Sequence, residues 1–129
     1  MSSPQEFFTE GKEDASLPFG ARVLYPNASW NMVPITQSVV SAISYKSFQL
    51  PEEIQTSTGN FTVADVVYDT YQTGDAWNSG GPGFNFAATF PAACFPRDGR
   101  YRIELELTLT NGSVVDLWIN HRAAKRLSS

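Results

Sequence analysis

Residues 100–121 carry the clearest pattern in the chain. Tyr101, Ile103, Leu105, Leu107 and Leu109 alternate with Arg102, Glu104, Glu106, Thr108 and Thr110, the period of a strand with one buried face. Asn111-Gly112 follows and suggests a two-residue turn, but register argues against it. That loop would pair Leu109 with Val114, Leu107 with Asp116 and Leu105 with Trp118, leaving Val115, Leu117 and Ile119 on the face of Glu104 and Glu106. A one-residue slip reverses every side chain, so the loop needs an odd count. A three-residue loop, Thr110-Asn111-Gly112 with Gly112 left-handed, returns Val115, Leu117 and Ile119 to the leucine face and turns Trp118 outward beside the glutamates.

The same period runs through 84–90, where Phe84, Phe86, Ala88 and Phe90 face one way and Asn85, Ala87 and Thr89 the other, closed by Pro91. Residues 38–50 form a longer strand. Val39, Ile43 and Tyr45 share one face, interrupted by Ser41 and Ser47; Val40, Ala42, Ser44, Lys46 and Phe48 share the other. Such imperfect alternation fits a strand partly covered on both sides. Shorter strands are expected over 20–25, stopped by Pro26, and around 30–33, ended by Pro34. The polar stretch 51–60 reads as a turn region on Gly59-Asn60, and 74–83 as a glycine-rich loop anchored by Trp77. Between them the period changes: Val63, Val66, Val67 and Tyr71 follow i, i+3, i+4, i+8, and Thr62 with Asp65 resembles a capping box. This predicts one short helix at 63–71, with a β-branched strand as its rival.

Asp98-Gly99-Arg100-Tyr101, just ahead of the long strand, resembles the tyrosine corner of immunoglobulin-like sandwiches. The expected fold is therefore an all-β, immunoglobulin-like antiparallel β-sandwich of six to eight strands with one short helix. It spans residues 20–121, between an extended N-terminal arm at 1–19 and a basic C-terminal tail at 122–129. The arm has no usable period, yet Phe7, Phe8, Leu17 and Phe19 give it something to bury, so it is expected to stay mobile until a partner groove orders it. Those four residues, with Trp118, Arg122, Lys125 and Arg126, form the candidate partner-binding set.

Composition narrows the function classes. A chain of 129 residues is one domain, because two cores would each be marginal at half that length. With 42% apolar and 13% aromatic residues it can fill a core, unlike a disordered chain. Net charge of −4 speaks against a general nucleic-acid binder. The charge is uneven: Glu6, Glu10, Glu13 and Asp14 face only Lys12 within residues 1–20, while Arg122, Lys125 and Arg126 close the chain without an acid. This reads either as two solvated tails or as one subunit's arm docking on another's tail. The single cysteine, Cys94, excludes an intramolecular disulfide, fits a reducing compartment and reads as a small core residue. No signal peptide is expected at 1–20, and no run of 18 apolar residues offers a membrane span. The Asn-x-Ser/Thr triplets at Asn27, Asn60 and Asn111 then carry no meaning.

Chemistry is sparse. His121, the only histidine, reads as exposed at a frayed strand end, so neither a zinc site nor a Ser–His–Asp triad has its parts. Asp65 and Asp69, four apart, could share a helix face and suit a divalent cation, with Asp75 nearby; the alternative is a helix cap and a solvated face. Gly80-Gly81-Pro82-Gly83 lacks the lysine and helix of a phosphate cradle. No catalytic residue, metal site or cofactor is expected.

From about Val39 onward the chain resembles small immunoglobulin-like proteins encoded among tailed-phage and prophage structural genes. The residues that carry the resemblance are Thr62 to Thr70, Trp77, Gly83-Phe84-Asn85-Phe86, and Gly99 to Glu104 leading into the Asn-Gly hairpin. The resemblance implies a virion component assembled in the host cytoplasm, a non-enzymatic capsid decoration or cement protein, or a neck, tail or baseplate subunit. Its implied partners are the major capsid protein or other virion proteins, in a multicopy or homo-oligomeric assembly without nucleic acid or membrane. A carbohydrate-binding or adhesion module using Trp30, Trp77 or Trp118 as stacking platforms is the second class.

Overall fold

A computed structural model describes residues 5–12, 16–74 and 79–124. Its elements, in chain order, are β1 Gln5–Lys12, β2 Leu17–Ala21, β3 Leu24–Pro26, β4 Met32–Pro34, β5 Val40–Leu50, β6 Ile54–Phe61, α1 Val63–Val66, β7 Val67–Gly74, β8 Ser79–Phe90, β9 Gly99–Leu109 and β10 Val114–Ala124. One sheet has the order β1-β10-β9-β5-β6, a second β2-β8-β7, and β3 with β4 makes a two-stranded ribbon. Every ladder is antiparallel except that of β1 with β10, which is parallel. The two larger sheets face each other as an all-β sandwich. Tyr45 of one meets Phe90 of the other edge-to-face at 5.4 Å between ring centroids, and Phe7 meets Phe19 at 5.0 Å.

The β9–β10 hairpin has the expected odd loop. Leu109 N–H donates to Ser113 O at 2.8 Å and Gly112 N–H to Leu109 O at 2.9 Å, enclosing residues 110–112. Gly112 has φ of +91°, a conformation that an L side chain adopts only with strain. Val115, Leu117 and Ile119 therefore stand opposite Leu107, Leu105 and Ile103, and all but the half-buried Val115 are buried. Tyr101 is fully buried; its hydroxyl donates to Arg97 O at 2.6 Å and accepts from Arg97 N–H at 3.2 Å. The corner thus closes the loop ahead of β9 onto the core.

Elsewhere tertiary pairing overrides local pattern. The ladder between β5 and β9 shifts register between Val40 and Ala42, which brings Val40 onto the buried face with Ile43 and Tyr45 rather than the opposite one. Residues 51–60 are turn only at 51–53; the rest is the edge strand β6. Gly59 stands opposite Tyr45 in that strand. A Cβ there would lie 2.7 Å from the Tyr45 hydroxyl, so this glycine admits a ring across the strand and marks no turn.

The helix expected at 63–71 stops at Val66, and the Thr62 side chain makes no capping bond. Four residues cannot sustain a helix on their own. Val67 instead pairs with Phe86 of β8, and the β-branched rival holds for 67–74. Trp77, expected to anchor the loop, lies outside the described residues.

The expected arm is largely part of the sandwich. Residues 5–12 form β1 at the edge of the larger sheet, and Leu17 and Phe19 belong to β2, opposite Phe90 and Ala88. Both are buried. A boundary at residue 19 therefore cuts through the core. The two facing sheets hold five and three strands, within the expected six to eight, and the β3–β4 ribbon stands outside them.

Two substitutions check this account. Gly112→Val is expected to destabilise by about 1–3 kcal/mol through backbone strain alone, since nothing lies within 4 Å of the added Cβ; Gly112→Asn should cost less. Urea unfolding measures both. By the same assay Phe19→Ala should cost about 3–5 kcal/mol, whereas Phe8→Ala should stay within about 0.5 kcal/mol; equal effects would return Phe19 to a detached arm.

Candidate functional site

The hairpin register that buries the odd-numbered residues of β9 turns its even-numbered ones outward. Across that outer face Arg100 stands opposite Arg122, Arg102 opposite Asn120, Glu104 opposite Trp118 and Glu106 opposite Asp116. β5 adds Leu50 beside Arg100, Phe48 beside Arg102 and Lys46 beside Glu104. β1 adds Glu6 and Phe8 beside Trp118 and Asn120, and its next pair in register is Glu10 with Arg122. The face is basic at the Arg100 end and acidic at the Glu106 end.

At the basic end lies a cleft of about 390 Å³ lined by Phe8, Leu50, Arg100, Tyr101, Asn120, His121 and Arg122. Asn120 donates from its amide to a Glu6 carboxylate oxygen. Arg102 Nε donates to Asn120 Oδ1 at 3.5 Å, and its guanidinium lies 4.7 Å from the centre of the Trp118 ring. Trp118 is thus half-buried beneath an arginine and is not an open stacking surface.

The candidate residues divide accordingly. Phe8 is 70% exposed, its neighbour Phe7 packs inward on Phe19, and Leu17 and Phe19 are core. Arg122 is exposed at the cleft; Lys125 and Arg126 lie outside the described residues. Because β1 runs parallel beside β10, Glu10 is in backbone register with Arg122 of the same chain; Glu13 and Asp14 lie outside the described residues. Arg100 was not singled out in sequence; its signal was the hairpin register that sets it opposite Arg122.

His121 is not at a frayed end. β1 covers β10 there and leaves the ring 3% exposed. Its Nδ1 lies 2.7 Å from the Thr9 hydroxyl, its ring lies 4.4 Å from that of Phe95, and burial pushes its pKa below the ordinary histidine value. Cys94 is buried as expected, and burial pushes its thiol pKa up, against smaller opposing effects of Ser47 and Ser57. Asp65 sits on α1 and Asp69 on β7, so they share no helix face. Asp69 Oδ1 accepts the Gln37 N–H at 2.8 Å, and Asp75 lies outside the described residues. Among the described residues no group of three or more His, Cys, Asp and Glu could hold a metal ion.

Trp30 stands apart from this face, 82% exposed at the tip of the β3–β4 ribbon. Asn27 braces the tip: its Oδ1 accepts from Ser29 N–H at 2.9 Å and Asn31 N–H at 3.0 Å, and its carbonyl accepts Trp30 N–H at 2.9 Å. Trp30 itself has φ of +63°, a left-handed conformation that costs a non-glycine residue about 1–3 kcal/mol. At the ribbon's other end Asn85, 1% exposed, accepts Val23 N–H at 2.8 Å and donates to Val23 O at 2.9 Å and Ile35 O at 3.3 Å. Tip and base are both fixed.

Comparison with protein-family models and with curated proteins yields no match to this chain.

The buried histidine makes a pH prediction. Its folded pKa is lowered, so between that value and the unfolded value of about 6.5 the unfolded chain binds more protons and stability rises with pH. The contribution is complete above the unfolded pKa and is lost as pH falls toward the folded one. Urea unfolding at pH 7.5 and 5.0 should show a smaller loss on acidification for His121→Gln than for the wild type. Equal losses would show that His121 does not titrate differently in the folded state.

Proposed function

We propose that this protein is a non-enzymatic structural component of a tailed-phage virion, a capsid decoration protein that binds major capsid subunits through its N-terminal strand. The carrying observation is β1, which among the described residues is an edge strand with one neighbour, β10, and has Phe8 exposed on the sheet's outer face. An unpaired strand edge beside an exposed aromatic side chain suits docking on another protein.

The immunoglobulin-like part of the reading is supported by the strand order. A five-stranded sheet whose centre is formed by β10, β9 and β5, facing a three-stranded β2-β8-β7 sheet, follows the arrangement of variable-type immunoglobulin sandwiches with their first strand on the larger sheet. The buried Tyr101 corner at the start of β9 agrees with it. The virion part rests on the resemblance of Thr62 to Thr70, Gly83 to Phe86 and Gly99 to Glu104 to phage structural proteins. A neck, tail or baseplate position is the runner-up within this class.

Trp30 favours a second reading, a carbohydrate-binding module. An exposed indole on a braced backbone is a ready stacking surface for a sugar ring and an anchor for any partner.

Co-sedimentation with particles lacking the native copy tests the first reading. Wild type should pellet with particles and Phe8→Ser should pellet several-fold less, while both unfold at similar temperatures. Equal pelleting would remove the N-terminal strand as anchor. Selective binding on a glycan array, abolished by Trp30→Ala, would replace the virion reading with the carbohydrate one.

A further inference from the structure

Arg100 and Arg122 face each other directly across the β9–β10 ladder, and both are exposed. Like charges in that position repel. Arg102 is engaged by Asn120 and Trp118, and Arg22 lies over the Tyr71 ring at 5.3 Å. Arg100 and Arg122 differ: among the described residues neither guanidinium makes a hydrogen bond, an ion pair or a ring contact. They border the cleft of about 390 Å³, whose remaining walls include the exposed Phe8 ring and Leu50. That volume lies within the range of ordinary ligand sites.

Two unengaged guanidiniums beside apolar walls describe their occupant by complementarity. A carboxylate accepts hydrogen bonds from planar guanidinium forks in good geometry, and it would turn the repulsion between Arg100 and Arg122 into a shared attraction. Phe8 and Leu50 ask for an apolar group next to that carboxylate. We propose that this cleft binds an acidic peptide segment of a protein partner, an Asp or Glu side chain clasped by Arg100 and Arg122 with a neighbouring apolar side chain against Phe8 and Leu50. The choice of a protein segment rests on the assembly role proposed above; the preference for an anion with an apolar neighbour does not.

The test is a titration of the full chain followed by amide proton–nitrogen spectra, with acetyl-Glu-Phe-amide, acetyl-Gln-Phe-amide and phenyl phosphate as probes. The Glu-Phe peptide should give saturable shifts at Arg100, Tyr101, His121 and Arg122. Arg100→Gln and Arg122→Gln should each weaken binding at least tenfold. Lys46→Gln, which removes a charge elsewhere on the same face, should change it less than twofold, as should Glu10→Gln. Equal binding of the Gln-Phe peptide, or equal weakening by Lys46→Gln, would overturn the site. Tightening of tenfold or more by Glu10→Gln would overturn it too, by showing that the chain's own acid already fills the cleft. Phenyl phosphate binding more than tenfold tighter than the Glu-Phe peptide would overturn the peptide assignment in favour of a small anion. Wild-type protein that binds the peptide but fails to pellet with particles would refute the virion role and leave the cleft standing.

Discussion

The loop of residues 110–112 decides which way every side chain of β9 and β10 points, because side chains in paired strands alternate with a period of two. With three residues in the loop, Ile103, Leu105 and Leu107 meet Ile119, Leu117 and Val115 on one face. Arg100, Arg102 and Glu104 meet Arg122, Asn120 and Trp118 on the other. One residue more or fewer would set each inward residue of one strand against an outward residue of the other. A left-handed Gly112 allows the odd loop, and Asn111 holds it by accepting the Ser113 N–H at 2.9 Å. Core and cleft are thus two sides of one register: the alternation that buries Tyr101 and His121 places Arg100 and Arg122 together at the surface.

That dependence explains which parts of the fold were legible. Where apolar residues alternate strictly, as in 84–90 and 101–109, the sequence carries the face, although β8 begins at Ser79, within the stretch expected as a loop at 74–83. Where the ladder itself is irregular, local pattern misleads: Val40 reaches the core because the β5–β9 register shifts after it. The edge strand β6 was hidden because its residues are nearly all exposed or half-exposed and show no buried face to the eye. Gly59 read as turn punctuation, although its role is to make room for Tyr45, which only the paired strand reveals. Val63, Val66 and Val67 match a helical spacing, but valine also suits a strand, and pairing with β8 decides between the two.

The N-terminal segment was misread for a different physical reason. Phe7 and Phe8 are adjacent, which in a loop would put two rings side by side. In β1 they point to opposite faces, one to Phe19 in the core and one to the outer surface. Pro18 obscured the matching alternation of Leu17, Phe19 and Ala21, although its position is exposed and tolerated in this outer strand of the smaller sheet. A parallel partner for β10 has no short-range signature, since the two strands lie at opposite ends of the chain. His121 was misplaced by the same omission. The period Leu117, Ile119, His121, Ala123 already set it inward, but without β1 its strand end looked bare.

β1 also links the interior to the outer face. Its Thr9 meets the buried His121, while Phe8, one residue earlier, forms a wall of the Arg100–Arg122 cleft. Lifting β1 from β10 would therefore expose a titratable ring and dismantle the cleft together. Conversely, whatever seats against Phe8 binds only the molecule in which β1 is docked, and by mass action favours that state. Protonation of His121 acts in the opposite sense, because a charged ring is penalised in the buried site. A ligand in the proposed cleft and the proton on His121 would then be coupled through one strand, which also carries Phe7 onto Phe19. Within β1 the inward residues Phe7 and Thr9 meet Phe19 and His121, whereas on the outer face Glu6 accepts from Asn120 and Phe8 stays exposed.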